Sequence, residues 1–138
     1  ACDFNNASFT ETLLSDVTFT GCKLTGAAFL RSKAMTVTFA DCLMSDARLP
    51  GFSFRKATLA QVDLSLADLS GCDFRDAVFD GCSLREALLT GARFEGADLR
   101  GADLGGLRLT DAARFKGATV SRRQAAELLA QLGLQVAP

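Results

Sequence analysis

Two residue types in this 138-residue chain could do chemistry: cysteine, present five times, and the sixteen carboxylates. A thiolate can bind metal, exchange disulfides or, with a base beside it, attack an electrophile. No base is at hand, because the sequence contains no His, so neither a Ser-His nor a Cys-His pair can be assembled. Metal-binding cysteines come in closely spaced pairs. Cys2, Cys22, Cys42 and Cys82 are instead 20, 20 and 40 residues apart, with Cys72 off that series. Such cysteines read as small buried hydrophobes, kept as free thiols in a reducing, cytoplasmic setting. The glycines fall five apart at turns rather than in a phosphate-cradling loop. The chain is therefore expected to be no enzyme, and to need neither cofactor nor metal.

The carboxylates recur with a rhythm. Asp3, Asp63, Asp68, Asp73, Asp98 and Asp103 each precede a large apolar residue, and Asp76, Asp80, Glu86 and Glu95 lie between. One reading is that each Asp bonds local backbone and keeps the surface soluble. The other is that rows of acids imitate a phosphate backbone, with Asp63, Asp68, Asp73, Asp80, Asp98 and Asp103 as the partner-binding set. Arg48, Arg55, Arg75, Arg85, Arg93, Arg100 and Arg108 are interleaved with them.

What positions all of these is a five-residue repeat. In Ala67–Leu104, Leu or Phe recurs at Leu69, Phe74, Phe79, Leu84, Leu89, Phe94, Leu99 and Leu104, with a small residue two before each. Five is neither the helical period of about 3.6 nor the strand period of 2, and a repeat outranks other local signals. The large residues, here called centres, run unslipped from Phe4 to Leu109; 20 of the 22 are Leu or Phe, with Ala34 and Met44 as exceptions. The residue two after the centre is Gly, Asn or Asp in 15 of 22 cases, types that tolerate a left-handed turn. Each unit is a short extended piece followed by a turn, so the chain must coil on itself.

The rhythm breaks in three places. Ala34 is too small to fill a core, and Met35 beside it is placed to turn inward. Pro50-Gly51 sits where a turn accepts proline. After Leu109 the phase slips by one, to units centred on Phe115 with Ala113 and on Val120 with Ala118, which predicts a bulge or loosened turn near residues 111–114. The ending differs in kind. Ser121 and Gln124 have capping-box spacing, Ala125, Leu128, Leu129 and Leu132 form an apolar stripe, and Gly133 is a stop. A helix is expected over about 122–132, with Leu134, Val136 and Pro138 as a short tail.

Over residues 2 to about 120 the pattern resembles the pentapeptide-repeat family, A(D/N)LXX. The resemblance implies an all-β solenoid: a right-handed quadrilateral parallel β-helix with four repeats per coil, about six coils, and a C-terminal capping α-helix. At about 4.8 Å between coils the rod is roughly 29 Å long. Folding the sequence on 20 residues stacks four cysteines in one column, Phe54, Phe74 and Phe94 in another, and Thr18, Thr38 and Thr58 in an outward ladder, as an in-register solenoid favours. The expected organisation is a β-helix over residues 1–120 and a helix and tail over 121–138 that cap it.

The ending, with GATV at Gly117–Val120 and LGLQV at Leu132–Val136, resembles the quinolone-resistance pentapeptide-repeat proteins and their mycobacterial relatives. In that family the last helix makes a dimer, and the rod mimics DNA toward DNA gyrase or topoisomerase IV. The resemblance thus implies a homodimer through Ala125, Leu128, Leu129 and Leu132, and a type II topoisomerase as partner. Capping alone is the other reading of the helix, and an interaction module for an unrelated protein is the other reading of the rod. Two features depart from the family: the net charge is only −1 where a mimic is acidic, and no projecting loop interrupts the register. A charge of −1 also argues against direct nucleic-acid binding. No apolar run is long enough to span a membrane and no signal peptide is visible. The chain opens at Ala1 inside a repeat with no N-terminal cap visible in the sequence: either upstream residues supply one, or the first coil is frayed.

Overall fold

The computed structural model describes residues 2–35, 37–109 and 111–138, without the side chains of Ala34 and Met35; the expected inward turn of Met35 lies outside the described residues. From Asn6 to Gly106 the residue two after each centre takes a left-handed φ of 53° to 82°, apart from Gly101 and the undescribed Thr36. Gly, Asn and Asp enter that region cheaply. Glu11, Arg31, Lys56, Gln61, Leu66 and Glu86 enter it too, so coil closure overrides local preference at six turns. Gly101 has a different reason to be glycine: a Cβ there would lie 2.3 Å from the Phe79 carbonyl oxygen and 2.9 Å from Asp80 Cα.

Turning after each short piece winds the chain into a right-handed quadrilateral β-helix. All strands are parallel and pair with a residue 20 further on. β1 (Leu13–Ser15) pairs with β3 (Lys33–Met35), and β2 (Thr18–Thr20), β4 (Thr38–Ala40), β5 (Thr58–Ala60) and β6 (Val78–Asp80) form one sheet in that order. β7 (Cys82–Ser83) pairs with β8 (Ala102–Asp103). Single parallel bridges continue the same offset around the remaining sides as far as Asp98, whose partner Thr119 is 21 residues on. The expected threonine ladder is present: Thr18 pairs with Thr38, and Thr58 is exposed on the next strand.

The core is a set of columns. Phe54, Phe74, Phe94 and Phe115 stack face to face with centroids 4.9, 5.0 and 5.1 Å apart and rings within 8° of parallel. Phe9 stacks on Phe29 at 4.8 Å and Phe19 on Phe39 at 5.2 Å. The coil spacing imposes this geometry, since like residues sit directly above one another. Phe52, bulky in a small position, is 2% exposed and packs 4.8 Å from Phe54; its column neighbours Ser32 and Cys72 are small enough to leave room.

The last step of the Phe column spans 21 residues instead of 20. The slip is real: Phe94 N–H donates to Arg114 O, Leu99 N–H donates to Thr119 O, and Asp98 pairs with Thr119. The extra residue is absorbed by a 3₁₀ turn over Ala112–Phe115. Ala113, expected to point inward, is exposed in that turn, because the tighter winding rotates it out of the core while keeping Phe115 in column. Helix α1 follows at Arg122–Ala130.

Candidate partner-binding surfaces

The ladders define four walls. Wall one runs Asp3, Lys23, Leu43, Asp63, Ser83, Asp103; wall two runs Ser8, Ala28, Arg48, Asp68, Leu88. Wall three carries Leu13, Lys33, Ser53, Asp73 and Arg93, and wall four carries Thr18, Thr38, Thr58, Val78, Asp98 and Thr119. Each wall also takes the two residues that follow its inward centre. The six candidate acids do not gather on one wall. Asp63 and Asp103 share wall one, Asp68 lies on wall two, Asp73 on wall three, and Asp80 and Asp98 on wall four.

Five of these six, all but Asp80, and Asp3 with them, behave alike locally. Asp3, Asp63, Asp68, Asp73, Asp98 and Asp103 each accept the backbone N–H of the residue two further on, at 2.9–3.1 Å. Two of them also hold an arginine within the same repeat. Arg75 Nε and Nη2 donate to Asp73 at 2.9 and 2.8 Å, and Arg100 makes the same pair of bonds to Asp98 at 3.0 and 2.8 Å. The guanidinium bonds dominate in lowering both carboxyls, and Asp98 falls from 3.8 to about 2. Asp103 meets Arg85 more loosely, at 3.5 Å.

The walls differ in sign, which a near-neutral total conceals. Wall one and its turns bear Asp3, Asp46, Asp63, Glu86 and Asp103 against Lys23 and Arg85. Wall three, on the opposite side of the quadrilateral, bears Lys33, Arg55, Lys56, Arg75, Arg93, Arg114 and Lys116 against Asp16, Asp73, Asp76 and Glu95. The rod is acidic along one side and basic along the other. Asp46 and Glu86 belong to this acidic wall although they lie outside the candidate set; reading every twentieth residue in register would have found them.

Cys22, Cys42 and Cys82 are buried in the expected column and Cys72 is buried on another side, but Cys2, expected inward, is exposed in the first coil; all five are free thiols. Cys42, Cys72 and Cys82 are buried, and each thiol donates to the backbone carbonyl 23 residues earlier, at 3.3, 2.9 and 3.1 Å. Burial raises all three thiols, Cys72 to about 12. Among the described residues no cluster of His, Cys, Asp or Glu is suited to hold a metal ion, and no helix is long and apolar enough to cross a membrane.

The C-terminal helix closes the coil end with polar and apolar contacts together. The capping box forms as the sequence implied: Gln124 N–H donates to Ser121 Oγ, and Ser121 N–H donates to Gln124 Oε1 at 2.8 Å. Gln124 is also 7% exposed, and its Nε2 donates to the carbonyls of Leu99 and Ala102 at 2.6 and 2.8 Å. Gln131 Nε2 donates to Leu107 O. Two side-chain amides thus stand in for N–H groups that a next coil would supply. Of the apolar stripe, Leu128 packs on the core and Ala125 is half-buried, whereas Leu129 and Leu132 are exposed together with Leu109, Leu134 and Val136.

Comparison with known proteins agrees with this architecture. A model of the pentapeptide repeat region matches residues 32–109, and one of eight pentapeptide repeats matches residues 2–39. A search of curated proteins found no match. The chain is similar to a trypsin-treated variant of QnrB1, a plasmid-mediated fluoroquinolone resistance protein, at 27% identity and a TM-score of 0.60, covering 94% of this chain and 72% of that one. It is similar in fold to HetL from Nostoc sp. strain PCC 7120, a pentapeptide repeat protein involved in heterocyst differentiation regulation, at 24% identity and a TM-score of 0.59; it spans half of that chain. With the repeat models matching from residue 2 to residue 109 and the coils stacked in 20-residue register, the chain belongs to the pentapeptide-repeat family.

Proposed function

We propose that this scaffold is a DNA-mimicking rod that binds a type II topoisomerase, DNA gyrase or topoisomerase IV, as a homodimer joined through α1. The observation that carries the reading is the segregation of charge. A mimic needs an acidic side, not an acidic whole, and wall one supplies Asp3, Asp46, Asp63, Glu86 and Asp103 on five of its six coils, with Lys23 on the other. The likeness to a fluoroquinolone resistance protein over 94% of the chain supports it. The exposed Leu129 and Leu132, with Leu134 and Val136, supply a self-complementary apolar patch for a two-fold contact.

The test is DNA supercoiling by purified gyrase with this protein titrated in, with and without a fluoroquinolone. Inhibition at low micromolar concentration, or rescue from the drug, is expected, and Asp63→Lys with Asp103→Lys abolishes it. No effect at high excess of folded protein sinks the reading. Leu129→Asp is expected to sediment as a monomer with an unchanged circular dichroism spectrum; a dimer retained in that variant refutes α1 as the interface.

A further inference from the structure

The basic wall has no part in that mimicry, since a topoisomerase groove built for DNA repels it. We infer that wall three is a second interaction surface, which holds the phosphate backbone of duplex DNA. Four of its seven cations are not consumed by internal pairing. Arg75, Arg93 and Arg114 are held by Asp73, Glu95 and Asp111, but Lys33, Arg55, Lys56 and Lys116 are exposed and make no ion pair among the described residues. They are spread from β3 through the last coil along the rod axis. They occupy the second, third and sixth coils, Asp73 and Glu95 between them are neutralised by Arg75 and Arg93, and Asp16 and Asp76 leave the wall a net positive side; an extended row of excess cations is complementary to a straight, uniformly charged polyanion, and less so to a compact acidic protein surface.

The wall also offers a seat for a single phosphate. At the edge between walls three and four a depression of about 430 Å³ is lined by Ser53, Arg55 and Lys56 on one side and Thr38 and Thr58 on the other. Two cations and three hydroxyls line it together with Val37 and Ala57, and Asp73, the ladder partner of Ser53, is held by Arg75. Hydroxyls and cations of this kind make the bulk of phosphate contacts in protein–DNA interfaces, and they fix position without reading sequence. The binding is therefore sequence-independent. A rod with wall one on an enzyme and wall three on DNA bridges the two.

The experiment is fluorescence anisotropy of a fluorescein-labelled 20-base-pair duplex with the whole chain. Saturable binding is expected in 50 mM salt. Four free cations give a log–log salt slope of about −3.6, so raising salt to 200 mM weakens binding about 150-fold. Lys33→Glu with Arg55→Glu is expected to weaken binding at least tenfold and to flatten the slope by about 2. Arg48→Glu with Arg108→Glu on wall two makes the same change in net charge and stays within threefold of the parent. Melting curves establish that both variants fold. Absence of binding in 50 mM salt overturns the inference, as does an equal loss in the two variants. Displacement of the duplex by poly-glutamate as readily as by heparin would assign the wall to an acidic protein instead, and would equally overturn it. None of these outcomes depends on the topoisomerase reading.

Discussion

Gln124 is the residue on which the closed end of the rod depends most, and its contribution can be separated into parts. It makes three hydrogen bonds: Nε2 to Leu99 O and Ala102 O, and Oε1 from Ser121 N–H. A net value of about 1 kcal/mol each makes Gln124→Ala cost about 3 kcal/mol, since water does not readily replace partners at a site 7% exposed. Unfolding entropy of about 2.1 cal/mol/K per residue gives roughly 0.29 kcal/mol/K for a chain of this length, so the melting temperature falls by about 10 °C. Gln124→Glu isolates the two donors. Glu at this helix position keeps the capping box, yet it sets a carboxylate against two carbonyl oxygens. It is therefore expected to cost about 2 kcal/mol or more although the cap survives. Thermal unfolding followed by circular dichroism near 218 nm reads both variants, with amide exchange at Leu99 and Ala102 reporting whether the last coil frays first. If both variants melt within 2 °C of the parent and exchange is unchanged, the amides are not the closure and the apolar contact of Leu128 suffices.

Other consequences are as open to test. Gly101→Ala drives a Cβ into the Phe79 carbonyl and is expected to cost about 3 kcal/mol or more, whereas Gly51→Ala meets nothing within 4 Å at φ +71° and costs about 1 kcal/mol for the left-handed backbone alone; equal losses in urea titrations would refute the clash. Asp98 has its carboxyl lowered to about 2 from 3.8, so its ion pair stabilises the fold fully above 3.8 and that contribution disappears as pH falls through about 2. Arg100→Gln is expected to flatten this acid limb in melting curves taken from pH 5 to pH 2, and an unchanged limb refutes the assignment. Ellman's reagent at pH 8 is expected to label only the exposed Cys2 in the native protein, leaving four thiols that react on unfolding; a second fast thiol would show that the column is open.

How much of this was legible beforehand depends on the range over which each feature is decided. The coil, its columns and the slip to Phe115 follow from a period repeated over 22 units, where no single position can mislead. The capping box was equally plain, because Ser121 and Gln124 are three residues apart. The second role of Gln124 was hidden, since it requires knowing that the carbonyls of Leu99 and Ala102 lie beneath the helix. Ala113 failed for the same kind of reason: a five-residue frame cannot say that the extra residue would be taken up by a 3₁₀ turn. Likewise the stripe of Ala125, Leu128, Leu129 and Leu132 does not reveal that Leu128 faces the core while Leu129 and Leu132 face out.

Charge is where composition misleads most. A total of −1 says little about a rod whose sides are read separately by a partner, because the quantity that matters is charge per wall. The 20-residue coil converts sequence position into wall, so an acid at position 46 and one at 103 become neighbours in sign although they are far apart in the chain. Five of the six chosen aspartates were picked for their place before a centre, a place that recurs on every wall, and that rule selects local backbone bonding rather than a shared surface. What separates the walls is position modulo 20. On that count the chain keeps an excess of acids on wall one and an excess of cations on wall three, an arrangement that the repeat itself does not require. Stability accepts either sign at these exposed sites, since exposed ion pairs contribute only about 0–1 kcal/mol. The segregation is thus free of the constraints that fix the columns, and the place to seek its cause is what the two walls bind.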